Sequence, residues 1–259
     1  MIVGFDCQFR GKVSFVECLR CAATQRNPCP FDFALLAAMT APLQEKVSGI
    51  RVTQLTGCLR QAVLETRHDY YDRPERCYYA FRGTMIHRIL EEAQLAGAVR
   101  ERRFTRVADG LAITGQPDAV FPRARLLREY KTIRRIAPWL REPLPAHAEQ
   151  VNCYAWLLQG RFPIARAEIL YLDMSGTARF VVPLRPLDEV ERLIVARARR
   201  IREGLGGGKL PPRLGPERSA LCRGYCPFTA RCWRRGFPAR GEAGRKEVTA
   251  EEEEGEDEG

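Results

Sequence analysis

Two carboxylates and a lysine lie close together near the middle of the chain: Asp118, preceded by Pro117, and Glu129 and Lys131 on either side of Tyr130. In an extended strand, residues two apart share a face. Glu129 and Lys131 therefore project together with Leu127, while Leu126, Arg128 and Tyr130 point the other way. If the strand ending at Asp118 pairs with the strand carrying Glu129, two carboxylates and an ammonium converge at one place on a sheet. Carboxylate oxygens hold hard divalent cations. Such a cation polarises a phosphate and acidifies a bound water, while a neighbouring lysine orients that water or stabilises the developing charge. The chemistry that fits is metal-assisted phosphodiester hydrolysis. An E-x-K pair alone describes many solvated surface ion pairs, so the rest of the chain must decide.

Three further features bear on the choice. His87, in RGTMIHRILEE, sits among helically spaced apolar residues upstream of the carboxylates, where it would add a nitrogen ligand. Gln150 and Tyr154 are four apart on a segment downstream of Lys131 and share a helical face. Cys222, Cys226 and Cys232 place three thiols within eleven residues, a pattern typical of metal or cluster ligation. They are one ligand short of the usual four, and Cys58 in TGCLRQAV is the natural fourth. Joining Cys58 to the distant trio would close a long loop and remove entropy from the unfolded chain. The spacing is unlike the paired knuckles of zinc ribbons and favours [4Fe–4S] over zinc.

The elements that must position these residues are legible as periodicities. Residues 53–66 place Leu55, Cys58, Leu59, Ala62 and Val63 on one helical face, and a second helix is expected over about 78–97. ERRFTRVA and LAITGQPDAVF flank Asp109-Gly110, a two-residue hairpin signal, and ARLLREYKTI follows as a third strand. PAHAEQVNCYAWLLQG is expected as a helix, ARAEILYLDM and ARFVVPL as strands. LDEVERLIVARARRIREGL is an amphipathic helix expected to end at Gly204 and Gly206–Gly208. The order predicts an α/β domain with a mixed sheet flanked by helices.

Composition bounds the class. The chain has 259 residues and a net charge of +10; seven of its last nine residues are acidic, leaving residues 1–250 with 42 basic against 25 acidic side chains. That excess points to a polyanionic partner. No apolar run is long enough to span a membrane and no signal segment opens the chain, so a cytoplasmic protein is expected. Ten cysteines in such a compartment point to metal rather than to disulfides. Residues 1–46 form a Cys-rich module in which Cys7, Cys18, Cys21 and Cys29 would supply four thiolates to a zinc ion. Residues 47–237 are then the main domain, and 238–259 a disordered acidic tail.

Taken in order, Cys58, His87, Pro117-Asp118, Glu129-x-Lys131, Gln150-x3-Tyr154 and Cys222/Cys226/Cys232 resemble the iron–sulfur PD-(D/E)XK nucleases of the RecB kind. These include the AddB nuclease domain and, closest in size, the CRISPR-associated Cas-four family. The resemblance covers about residues 50–235 and implies a restriction-endonuclease-like fold clasped by a [4Fe–4S] cluster on Cys58, Cys222, Cys226 and Cys232. It implies Mn2+ or Mg2+ on His87, Asp118, Glu129 and the Tyr130 carbonyl, with Lys131 catalytic and Gln150 and Tyr154 positioning DNA and active-site groups. The activity implied is exo- or endonucleolytic cleavage of single-stranded DNA or overhang ends. In the CRISPR setting this means prespacer trimming beside the integrase complex. A stand-alone or phage RecB-like repair nuclease could carry the same motifs, as could a DNA-binding adaptor that has lost catalysis. The N-terminal cysteines are not part of the minimal family pattern.

Overall fold

The structure is a computed structural model that describes residues 1–24, 29–41, 48–92, 97–100, 102–214, 222 and 225–233. The expected acidic tail, 238–259, lies outside the described residues. The chain forms two compact units, residues 1–212 and 213–259. The boundary expected near residue 46 falls inside the first of them.

In the first unit, β1 (Ile2–Cys7) and β2 (Gly11–Ser14) form a hairpin followed by α1 (Phe15–Ala23) and α2 (Phe33–Thr40). Ser14 starts α1 with a reciprocal cap: its hydroxyl accepts from Glu17 N, and the Glu17 carboxylate accepts from Ser14 N at 2.8 Å. A short β3 (Ile50–Arg51) leads into α3 (Val52–Thr56) and α4 (Leu59–Arg67). The single helix expected over 53–66 is therefore broken. Gly57 ends α3 in an extended conformation, and Cys58 caps α4 instead of lying on a shared helical face.

Next come β4 (Tyr70–Asp72) and α5 (Pro74–Glu92). Helix α5 starts earlier than the expected 78–97 because Pro74 suits a first helical turn, where no N–H is needed. β4 pairs in parallel with β1, and the N-terminal amine donates to the carbonyl of His68 at 2.7 Å. The cysteine-bearing hairpin is thus part of a sheet that also includes residues beyond position 46.

Strands β5 (Val99–Arg100), β6 (Phe104–Ala108), β7 (Leu111–Gly115), β8 (Ala119–Phe121) and β9 (Leu126–Thr132) follow. Asp109 and Gly110 turn β6 into β7, both with positive φ, as the hairpin signal requires. The run LAITGQPDAVF, expected as one strand, splits into β7 and β8, which belong to different sheets. Pro117 cannot donate to a ladder, and Gly115 lies where a Cβ would stand 2.7 Å from the Tyr154 ring.

Helix α6 (Pro145–Leu158) connects β9 to β10 (Arg166–Leu172), which continues through β11 (Thr177–Val182) to α7 (Leu187–Leu205). The main sheet is mixed, in the order β11-β10-β9-β8-β5: β9 and β10 are parallel, and the other neighbours are antiparallel. Its core gathers Leu127, Trp156, Ile169, Tyr171 and Ile194, all fully buried. Val190, Ile194, Ala198 and Ile201 form the buried stripe of α7. Gly204 does not end α7 as expected. It is buried inside the helix, where a Cβ would come within 2.8 Å of Val63.

In the second unit the described residues include α8 (Thr229–Cys232). Cys222 and Cys232 are buried, and the Thr229 hydroxyl lies against the carbonyls of both Cys222 and Cys226. Among the described residues no cysteine is in a disulfide, and no helix is long and apolar enough to cross a membrane.

Candidate active site

Asp118 immediately precedes β8, the antiparallel neighbour of β9, and extending their register by one residue beyond Ala119 and Arg128 sets it opposite Glu129. The Tyr130 N–H donates to Asp118 Oδ2 at 2.7 Å. From the other side, α5 brings His87 Nδ1 within 2.9 Å of Asp118 Oδ1. The helix approaches β9 closely through Gly83, where a Cβ would lie 3.2 Å from Thr132 Oγ1. Two strands and a helix thereby set one carboxylate in a fixed orientation.

Glu129 and Lys131 share the face expected from their spacing, with Lys131 Nζ donating to Glu129 Oε1 at 2.9 Å. Helix α6 adds Gln150, whose Nε2 donates to Glu129 Oε1 at 3.1 Å and to the Tyr154 hydroxyl at 2.9 Å. Both amide protons are therefore used. Glu129 is 2 % exposed and Asp118 5 %, an unusual depth for two carboxylates so close together. Glu129 Oε2 is buried and has no hydrogen-bond partner among the described residues.

The electrostatics follow from that burial. Desolvation raises the Glu129 pKa; the Lys131 ammonium opposes the shift and the Asp118 charge adds to it. Burial works against the charge of Lys131, but the ion pair with Glu129 outweighs it and holds the ammonium above its ordinary range. A carboxylate with one oxygen orphaned, beside a second carboxylate, is short of positive charge.

This donor set fits a hard divalent cation. Neighbouring donors on an octahedral ion at about 2.1 Å stand roughly 3 Å apart, which matches the 2.9 Å between His87 and Asp118. Among the described residues no three Cys, His, Asp or Glu side chains already form a ligand set. A cation here would complete its shell with water or substrate oxygens, as magnesium commonly does.

The sequence-based site residues thus divide. His87, Asp118, Glu129, Tyr130, Lys131, Gln150 and Tyr154 form one connected network. Cys58 caps α4 in the first unit, and Cys222, Cys226 and Cys232 belong to the second. Cys7, Cys18, Cys21 and Cys29 line a separate pocket.

The sequence reading missed the loop that leaves β9 for α6. It exposes Arg134, Arg135, Trp139 and Arg141, with Trp139 at 71 % exposure. Asp173 anchors the loop by accepting from Ile136 N at 2.6 Å, and it also accepts from the backbone of Ser175 and Gly176. These bonds hold its carboxyl down at about 2. At the far end, the Tyr171 hydroxyl accepts from Leu144 N at 2.9 Å and meets His147 Nδ1 at 2.9 Å. Interleaved arginines and an aromatic in TIRRIAPWLR were the available signal.

Residues 80–233, more than half of the chain, match the PD-(D/E)XK nuclease superfamily. No curated protein matches. Fourteen solved chains do. One is the crystal structure of SSO0001, 22 % identical, covering 77 % of this chain and 94 % of that one at a TM-score of 0.55; the likeness is one of fold.

Proposed function

The chain belongs to the PD-(D/E)XK nuclease superfamily, and from that premise we propose that it is an Mn2+- or Mg2+-dependent nuclease acting on single-stranded DNA or overhang ends. The observation that carries the reading is Glu129 Oε2, a buried carboxylate oxygen beside Asp118 and Lys131 that has no hydrogen-bond partner among the described residues. When bound, the divalent ion would supply Lewis acidity to the scissile phosphate and lower the pKa of a water.

The chain's own residues do the rest. Asp118, His87 and the second oxygen of Glu129 would be the ion's side-chain ligands, and the Tyr130 N–H fixes the Asp118 carboxylate from behind. Lys131 stays charged, so it orients an attacking water by hydrogen bonding and offsets negative charge developing on the phosphate. Gln150 holds Glu129 Oε1 and the Tyr154 hydroxyl, which keeps the second carboxylate oxygen turned toward the cation site. The single-strand preference is supported by the exposed Trp139, since a solvent-facing aromatic among arginines suits base stacking beside a phosphate backbone.

The cysteine pattern carries the proposal of a [4Fe–4S] cluster on Cys58, Cys222, Cys226 and Cys232. The order of motifs carries the proposal of prespacer trimming with the CRISPR integrase complex. Cleavage of labelled single-stranded DNA should require Mn2+ or Mg2+ and be lost in Asp118→Asn. Metal-independent cutting, or an Asp118→Asn protein as active as the parent, would overturn the reading. Anaerobically purified protein should absorb broadly in the visible and lose its iron in Cys226→Ser; colourless, iron-free parent protein would remove the cluster.

A further inference from the structure

A pocket of about 580 Å³ at the N-terminal end of the first unit is walled by Cys7, Cys18, Cys21 and Cys29, with Arg10 and Asp32 beside them. The four thiols come from three places. Cys7 ends β1 at the hairpin, Cys18 and Cys21 are one turn apart on α1, and Cys29 precedes α2. None is in a disulfide, and all four line this one pocket. These residues lie before the region matched by the nuclease superfamily, which begins at residue 80.

The pocket adjoins a small core, in which Phe5, Val13, Phe15, Leu36, Met39 and Cys77 are the buried residues among those described. So few side chains bury little apolar surface, and small cores of this kind are commonly reinforced by metal or disulfide. Four thiols at the edge of such a core are an uneconomical way to fill space and a good way to bind metal.

We propose that Cys7, Cys18, Cys21 and Cys29 bind one structural zinc ion, which braces helix α5 through the small core. The four thiolates would surround Zn2+ tetrahedrally at about 2.3 Å. Binding replaces the four S–H protons, which pass to solvent, and leaves a site of net charge 2−, partly offset by Arg10 in the same wall. Asp32 is already engaged, accepting from Leu35 N at 2.7 Å as the cap of α2. Among the described residues no three such groups already form a ligand set, so the ion would draw the thiols inward. Its reach extends to the candidate active site because Cys77, Tyr78 and Phe81 of α5 pack into this core, and His87 lies further along the same helix.

The test uses the full chain. Elemental analysis should find one zinc per chain, falling to near zero in Cys18→Ser/Cys21→Ser and staying at one in Cys153→Ala. So that the result does not hinge on the folding of the double variant, the parent protein is also alkylated with and without chelator and the modified thiols are mapped by mass spectrometry. Cys7, Cys18, Cys21 and Cys29 should be protected together and become reactive together, and amide exchange in α5 should quicken at least several-fold. Zinc-free protein after repletion, iron that follows these cysteines, or alkylation unaffected by chelation would each overturn the site. Unchanged exchange in α5 would overturn the brace. None of these readouts depends on DNA cleavage, so they stand apart from the nuclease assay.

Discussion

Glu129 and Asp118 are buried at 2 % and 5 % exposure between a five-stranded sheet and the helices packed on it. Cys7, Cys18, Cys21 and Cys29, by contrast, are half-buried and line a pocket beside six buried residues. The carboxylates are held by protein groups alone: a backbone N–H, an imidazole, an ammonium and an amide. The larger core can bury charge and leave one oxygen unsatisfied without assistance. The smaller one, on the proposal above, is braced by its ion. On the two proposals, a metal would be a reagent in the first region and a staple in the second.

The largest expected effect tests the first half of this contrast. Lys131→Met should lower cleavage by about 100-fold or more, with far-ultraviolet circular dichroism unchanged, because Glu129 can take up a proton in place of its lost partner. A global loss of structure would show that the site depends on its charges as the cysteine pocket is proposed to depend on zinc.

A pH titration sharpens the same point. Burial first, and the Lys131 charge second, push the His147 pKa down to about 4 from its usual value near 6.5. The folded state resists protonation, so stability is full above about pH 6.5 and declines as pH falls toward 4. The loss is at most about 3 kcal/mol. Below pH 4 both states are protonated and nothing further is lost from this group. Denaturant melts of His147→Gln should lack this part of the acid sensitivity; identical profiles would show that His147 is not buried neutral.

Two glycines separate site from scaffold. Gly115→Ala would place a methyl 2.7 Å from the Tyr154 ring, and Gly204→Ala one 2.8 Å from Val63. Each should cost about 1–3 kcal/mol by overpacking. Only Gly115→Ala should also lower cleavage, since Tyr154 shares the Gln150 amide with Glu129. Equal losses of activity in the two would contradict the assignment of Gln150 and Tyr154.

The smallest effect concerns an exposed residue. Trp139→Ala should weaken single-stranded DNA binding by about 1–3 kcal/mol, the scale of one stacked base, and leave the melting temperature unchanged. Unaltered affinity would remove the support for a single-strand preference.

The elements that could be read from local periodicity were the strand β9, the Asp109-Gly110 turn and the amphipathic α7, together with the shared face of Glu129 and Lys131. These depend on neighbours two to four residues apart, and side-chain type determines them directly. The cap that breaks residues 53–66 at Gly57 and the division of 111–121 between two sheets were not readable, because tertiary packing overrode a continuous apolar pattern there.

Residue types and order in the sequence by themselves determined the candidate groups for this protein's chemistry: two carboxylates, a lysine, a histidine, a glutamine, a tyrosine and its cysteines. Only the tertiary structure decided how they meet. It joined Gln150 to Glu129 across 21 positions and Asp118 to Tyr130 across 12, and it left Glu129 Oε2 without a partner among the described residues. It also drew Cys7 and Cys29 to one pocket and set β1 against β4. Such contacts are fixed by how strands register and helices pack. Burial, which makes a carboxylate crave a cation, exists only once the chain has closed around it.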